Sequence, residues 1–336
     1  MRKVTIRDVA REAKVSIGTA SRVINGVANV DPPYRRRVLE AVDKLGFIPN
    51  RAAQDIRRGR SQEIGIIVRD IAVPVLGGFV KAAQCVFEEA GYVLLVCSTE
   101  NLKNRELDIL RRFRQRRIEA LLTGAAAEDD PELIEARAQL DVPLLMFDRE
   151  CGSYDSVLID YSEGTRQAVE YLLALGHRRI LLITGQNKTH PARSRVEGYR
   201  AAYRTFGIKP SADMIRTVGF DADTGFRESM NALERPDKPT AIVAGGIDML
   251  AGIIKAARAR GQRIPDDISI IGGADSDLAL LTEPAVTVLR WDYTEVGSIC
   301  ARMMLDRIGS ADIALPRQVL ITPELVLRGS CKPIVP

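Results

Sequence analysis

From Glu63 onward, short β-branched or aliphatic runs alternate with longer helical stretches, and this alternation restricts the chain to parallel sheets flanked by helices. Ile64-Gly65-Ile66-Ile67-Val68, Val93-Leu94-Leu95-Val96, Ala120-Leu121-Leu122 and Leu144-Leu145-Met146-Phe147 read as one set of strands. Ile180-Leu181-Leu182-Ile183, Ala241-Ile242-Val243-Ala244 and Ile268-Ser269-Ile270-Ile271 read as a second. Runs without polar alternation suit strands covered on both faces. Helical stretches near 79–90, 165–174 and 196–205 supply the crossovers, so the expected body is α/β, with two doubly wound parallel sheets. Open sheets of this kind bind ligands beyond the strand C-termini. Asp148 follows the 144–147 run, Asp160 follows Val157-Leu158-Ile159, and Asp275 follows the 268–272 run. Each is a candidate ligand contact, and each could equally be a capping or loop carboxylate.

At 336 residues the chain exceeds one ordinary domain, and its charge is divided unevenly. Residues 1–60 hold 14 Lys+Arg against 6 Asp+Glu; the remainder holds 34 against 38. A basic head on an acidic body places a polyanionic partner at the N-terminus. No apolar run approaches the ~20 residues of a membrane span. The opening Met1-Arg2-Lys3-Val4-Thr5 has no apolar core behind it, so a secretory signal is not expected. Cys85, Cys97, Cys151, Cys300 and Cys331 are odd in number and form no CxxC or Cys/His cluster. They read as reduced thiols in a cytoplasmic protein, with no metal site or cofactor expected.

The head reads as a helix-turn-helix. Thr5-Ile6-Arg7-Asp8 fits a capping box, and Ile6, Val9, Ala10 and Ala13 form one apolar stripe. Lys14-Val15-Ser16 breaks the helix, Ser16 can cap a second from Ile17 to about Ile24, and Asn25-Gly26 ends it. The start of a second helix in this motif faces the major groove. Arg22 can present a fork to guanine and Ile17 an apolar contact to a thymine methyl, with Gly18 between them. Arg22 could otherwise be a plain exposed cation. Ser16, Thr19, Ser21 and Asn25 suit phosphate oxygens. A third helix is expected from Asp31, with Pro32-Pro33 in its first turn, a stripe of Val38, Ala41, Val42 and Leu45, and Gly46 as its stop. Beyond it, Asn50 can cap a segment of about two turns, too short to be stable alone.

Thr5-Ile6-Arg7-Asp8-Val9-Ala10, Val15-Ser16, Thr19-Ala20-Ser21-Arg22-Val23-Ile24-Asn25 and Phe47-Ile48-Pro49-Asn50 resemble, in order and spacing, the head of the LacI/GalR regulator family. The resemblance implies a helix-turn-helix over 1–49 and a hinge helix over 50–60. It also implies a homodimer on a palindromic operator in double-stranded DNA. Ile56 would be the minor-groove wedge, and Thr5, Asn50 and Ala53 would join the DNA contacts. The body then resembles the periplasmic-binding-protein type I fold, with an N-subdomain of 61–161 plus 293–321 and a C-subdomain of 162–292 plus 322–336. A small-molecule effector, a sugar or sugar derivative, would sit between them. Arg195, within Arg193-x-Arg195-x-x-Gly198-Tyr199, would bind it, with Phe220, Tyr293 and Asp248 beside it. The pattern departs at Gly245-Gly246-Ile247-Asp248, Gly272-Gly273-Ala274-Asp275 and Val73-Pro74-Val75-Leu76, so the cleft chemistry differs from the usual one. No heptad tail follows Arg328, which argues against a coiled-coil tetramer.

Enzyme readings are weaker. His177 and His190 are the only histidines, and neither joins a Ser-His-Asp or metal-spaced set. No Gly-rich phosphate loop follows a strand. Two alternatives to a ligand-responsive regulator remain: a ligand-independent architectural DNA binder, or an α/β enzyme carrying a DNA-binding head.

Overall fold

Three helices close around a small core of alanine and valine at the N-terminus: α1 (Ile6–Glu12), α2 (Ile17–Ile24) and α3 (Pro32–Leu45). The structure, a computed structural model, describes residues 4–27, 29–47, 60–124, 126–310 and 315–334. It divides into two units, Met1–Ser61 and Gln62–Pro336. In the first, Val9, Ala10, Ala13, Ala20, Val23, Val38 and Ala41 are buried together, with Val15 packed against them from the turn. Small side chains here let short helices cross closely. At Thr5 the capping geometry centres on Asp8, whose carboxylate accepts from the Thr5 amide at 3.0 Å and its hydroxyl at 2.7 Å. Ser16 caps α2 by accepting from the Thr19 amide at 3.1 Å. Asp31 occupies the N-cap position of α3, but its side chain makes no cap bond. Gly46 closes that helix in the left-handed region at φ 60°. The hinge-helix expectation, with Asn50, Ala53 and Ile56, falls outside the described residues.

The second unit holds two six-stranded sheets. The first comprises β1 (Glu63–Val68), β2 (Val93–Ser98), β3 (Ala120–Thr123), β4 (Leu144–Phe147), β5 (Asp155–Ile159) and β11 (Gln318–Ile321). They lie in the order β11-β5-β4-β3-β1-β2, all parallel. The second comprises β6 (Ile180–Thr184), β7 (Ile215–Thr217), β8 (Ala241–Ala244), β9 (Ser269–Gly272), β10 (Thr287–Arg290) and β12 (Glu324–Val326). Its order is β12-β10-β9-β8-β6-β7, with β12 alone antiparallel.

Strand alternation sends side chains to both faces, and helices cover each. Ile64, Ile66 and Val68 pack with Phe79 and Phe87 of α4 (Pro74–Glu89) and Val296 of the helix Tyr293–Gly309. Ile67, pointing the other way, packs with Leu110 and Phe113 of α5 (Lys103–Arg116) and Leu133 of α6 (Pro131–Ala138). The second sheet is covered by α7 (Tyr161–Ala174) and α8 (His190–Thr205) on one side, and by α9 (Ala222–Leu233) and α10 (Met249–Ala259) on the other. Two of these contacts depend on glycine. A Cβ on Gly198 of α8 would lie 2.0 Å from the Ser162 carbonyl oxygen, and one on Gly252 of α10 would lie 1.9 Å from that of Ala222.

The chain passes between the sheets three times: after β5, after β10, and between β11 and β12. The helices expected near 79–90, 165–174 and 196–205 start earlier, at Pro74, Tyr161 and His190, two of them with proline in the first turn. Among the described residues no helix is long and apolar enough to cross a membrane.

Candidate functional site

In the head, α2 buries Ala20 and Val23 and leaves the opposite side exposed. Ile17 is 48% exposed, an unusual position for a large apolar side chain at a helix start. Gly18 and Arg22 are exposed beside it, the Arg22 Nε lying 3.4 Å from the Gly18 carbonyl. Nothing in the fold demands glycine at position 18, since an added Cβ would meet no atom nearer than Ser16 Oγ at 3.8 Å. Ser16 and Thr19 are tied together at 2.9 Å, and the Asn25 amide donates to the Ser21 carbonyl at 2.8 Å. Thr5 is exposed at the head of α1. These groups therefore serve local capping, while Ile17, Gly18 and Arg22 supply an outward face suited to base edges.

In the body, the strand C-termini of both sheets converge on a cavity of about 120 Å³. That is comparable with the roughly 150 Å³ apolar cavities that admit a single benzene ring. Its lining comes from segments just past the strands: Arg69 after β1, Asp148 and Arg149 after β4, Phe220 after β7, and Gly245 to Asp248 after β8. The chain crossings supply its aromatic wall, with Tyr161 from the first and Trp291 and Tyr293 from the second. Tyr161 meets Trp291 edge-on at 5.6 Å between ring centroids, and Trp291 lies 5.1 Å from Tyr293.

Arg195 is the most constrained group in this cavity. It is 4% exposed, and its Cζ sits 3.6 Å from the Tyr161 ring centroid and 5.7 Å from that of Phe220. Nη1 donates to the Pro191 carbonyl at 2.8 Å, one turn back in α8. Nε has no hydrogen-bond partner, and no carboxylate among the described residues pairs with this guanidinium. Asp148 is its counterpart. Its backbone is left-handed at φ 55°, its Oδ2 accepts from the Tyr161 hydroxyl at 2.8 Å, and its buried Oδ1 has no partner. Burial, followed by the Asp148 charge, pushes the Tyr161 phenol far above its ordinary pKa, so it remains a donor. Tyr161 thus holds the two charges apart, its ring against one and its hydroxyl on the other. Trp291 Nε1, also in the wall, is a third buried group without a partner.

Of the residues expected from sequence, the cavity brings together Asp148, Arg195, Phe220, Asp248 and Tyr293. Asp160 and Asp275 are elsewhere. Asp160 caps α7, accepting from the Glu163 amide at 2.9 Å. Asp275 spends both oxygens on Arg328, at 2.9 and 2.7 Å. Both follow strands as expected, but a helix start and a nearby arginine claim them first. The cavity also takes Arg69, Arg149, Tyr161 and Trp291, which no motif or strand-end carboxylate pattern marks. Arg69 directly follows a predicted strand, the same signal that marked Asp148. A Cβ on Gly185 would fall 2.0 Å from the Phe220 ring and one on Gly246 3.0 Å from it, while Cβ atoms on Gly245 and Gly273 would fall 2.5 and 2.2 Å from the Ile183 and Ala244 carbonyl oxygens.

Ionic contacts span the cleft on two flanks. Arg69 pairs with Asp248 at 3.1 Å. On the other flank Glu128 accepts from the His190 amide at 2.5 Å and from Arg193 Nη2 at 2.6 Å, with Arg149 3.9 Å away.

Comparison with known proteins places both units. Residues 5–50 match the family described as bacterial regulatory proteins, lacI family, and residues 169–331 match a periplasmic binding protein-like domain. The chain is 31% identical to the HTH-type transcriptional regulator DegA of Bacillus subtilis (strain 168), over 99% of each chain. It is 30% identical to the ribose operon repressor of Escherichia coli (strain K12), over 97% of this chain and 99% of that one. The lac repressor dimer bound to operator and the anti-inducer ONPF superposes with a TM-score of 0.85 at 27% identity, covering 98% of this chain and 100% of that one. The CelR–cellobiose complex, a transcriptional regulator, gives 0.74 at 28% identity with the same coverage.

Proposed function

The chain belongs to the lacI family of bacterial regulatory proteins and is a DNA-binding transcription regulator, and we propose that a small polar ligand in its body cavity controls its grip on an operator. The observation that carries this reading is the cavity itself. One ring-sized space holds the Arg195 Nε, a carboxylate oxygen of Asp148 and the Trp291 indole N–H, all buried and without hydrogen-bond partners, against aromatic faces. Aromatic faces with convergent donors and acceptors suit a hydroxylated ring. The ribose operon repressor and the cellobiose complex among its relatives favour a sugar or sugar derivative, and hence a repressor of carbohydrate-related genes.

On this reading the protein acts as a homodimer, so that two copies of α2 read the halves of a palindrome, Arg22 and Ile17 touching bases. Ligand binds one arrangement of the two sheets better than the other, and only that difference in affinity can shift DNA binding. Release by an inducer is the proposed sense. We propose no catalytic role.

Operator binding measured by fluorescence anisotropy, on a palindrome selected from random DNA, tests the reading. Arg22→Ala should cost about 1–3 kcal/mol on the selected site and little on random DNA. Unchanged discrimination between the two would remove α2 as the reader.

A further inference from the structure

Resting on the cavity reading above, we infer that the ligand is a hydroxylated carboxylate, a sugar acid no larger than one six-membered ring, whose carboxylate pairs with Arg195. From sequence alone the site held four carboxylates and one arginine, a set that suits hydroxyl-rich or anionic ligands alike. Folding narrows that choice. Asp160 and Asp275 are engaged elsewhere, Asp248 is paired with Arg69, and Asp148 is left as the one carboxylate with a buried oxygen to offer.

Among the described residues, Arg195 is left without a counter-ion. A guanidinium taken out of water is unfavourable unless paired, and the faces of Tyr161 and Phe220 offset only part of that. Two of the three orphaned buried groups in the wall, Arg195 Nε and Trp291 Nε1, are donors, and both residues lie against the same Tyr161 ring. A carboxylate accepts at both oxygens and donates nothing, which matches two donors better than hydroxyls do. At the far side of Tyr161, Asp148 Oδ1 needs a donor, and a ligand hydroxyl supplies one. The pattern requires an acceptor-only end and a hydroxyl end on one small molecule.

Trp291 is the single tryptophan of the chain and lines the cavity, so its fluorescence reports occupancy directly. The full-length protein is titrated, at fixed ionic strength, with D-gluconate, D-glucuronate and D-galacturonate. The controls are D-glucose, D-galactose and their 6-phosphates. At least one acid is expected to bind about ten-fold or more tighter than its neutral counterpart. Arg195→Gln should erase that preference, and Arg195→Lys, which keeps the charge but loses the fork, should retain part of it. Both variants are checked for fold by circular dichroism. A neutral sugar binding as well as the acids, a response to phosphates alone, a preference that persists in Arg195→Gln, or no response to any compound would overturn the inference. Operator anisotropy, run in parallel, separates the two claims. A neutral sugar that changes operator affinity removes the acid and keeps the regulator reading, whereas an acid that binds without changing it does the reverse.

Discussion

Arg69 and Asp248 meet across the cleft, the Arg69 Nη2 donating to Asp248 Oδ2 at 3.1 Å from the opposite sheet. The sequence departure at Gly245-Gly246-Ile247-Asp248 therefore removes polar side chains from the wall and leaves one carboxylate reaching over it. The pair is part-exposed, with side chains 25% and 31% accessible, so its energy is modest. In a double-mutant cycle of Arg69→Gln and Asp248→Asn, denaturant unfolding should give a coupling of about 0.2–1 kcal/mol. Strictly additive losses would show that the two groups do not support one another.

A buried pair on α5 and α6 should behave differently. Arg137 and Glu106, 1% and 0% exposed, meet at 3.2 Å, and Glu106 also accepts from the Ala126 amide at 2.7 Å. Glu106→Gln leaves the guanidinium buried and uncompensated, at a cost of about 3–5 kcal/mol in unfolding free energy. A loss below 1 kcal/mol would mean that water reaches Arg137.

Glycine substitutions should split by position. Gly198→Ala forces α8 away from the Ser162 carbonyl, costing about 1–3 kcal/mol, and carries Arg195 with it, so cavity binding weakens as well. Gly18→Ala meets open space and should raise head stability by up to about 1 kcal/mol. Any loss on Gly18→Ala should appear only in operator binding, measured beside thermal melts of both variants.

These glycines mark where sequence reading succeeds and where it stops. Helix and strand identities were legible because apolar spacing is a local property, and the helix-turn-helix was legible down to the Ser16 cap and the Gly46 stop. The cavity was only half legible. Arg195 came from a motif, Phe220 from the position the family resemblance implies, and Asp148 from its place after a strand. Asp160 and Asp275 follow strands just as Asp148 does. What separates them is a helix that starts at Tyr161 and an arginine 53 residues away in the chain, and neither competitor is visible in local spacing. Tyr161 and Trp291 sit at chain crossings, and a crossing is known only once both sheets are assembled.

His177 gives a pH signature. It is 3% exposed, with Nδ1 2.9 Å from the Thr240 hydroxyl and Nε2 3.2 Å from the Lys332 carbonyl. Burial holds its pKa below the ordinary 6.5 despite the Lys332 carbonyl, which pulls upward. The unfolded chain then binds the proton more readily, so this contribution is intact above about pH 6.5 and is lost as pH falls toward the lowered folded value. Denaturant midpoints at pH 7.5 and 5.5 should differ more for the wild type than for His177→Gln. Equal differences would remove His177 as a source of acid sensitivity.

The measurement closest to the central claim couples the two units directly. Operator affinity of the full chain is titrated with and without a compound that saturates the Trp291 signal, in the wild type and in Arg195→Gln. Saturation should shift wild-type operator affinity by about 5–150-fold and leave Arg195→Gln unmoved. An operator affinity that stays constant while Trp291 reports a filled cavity would contradict the account.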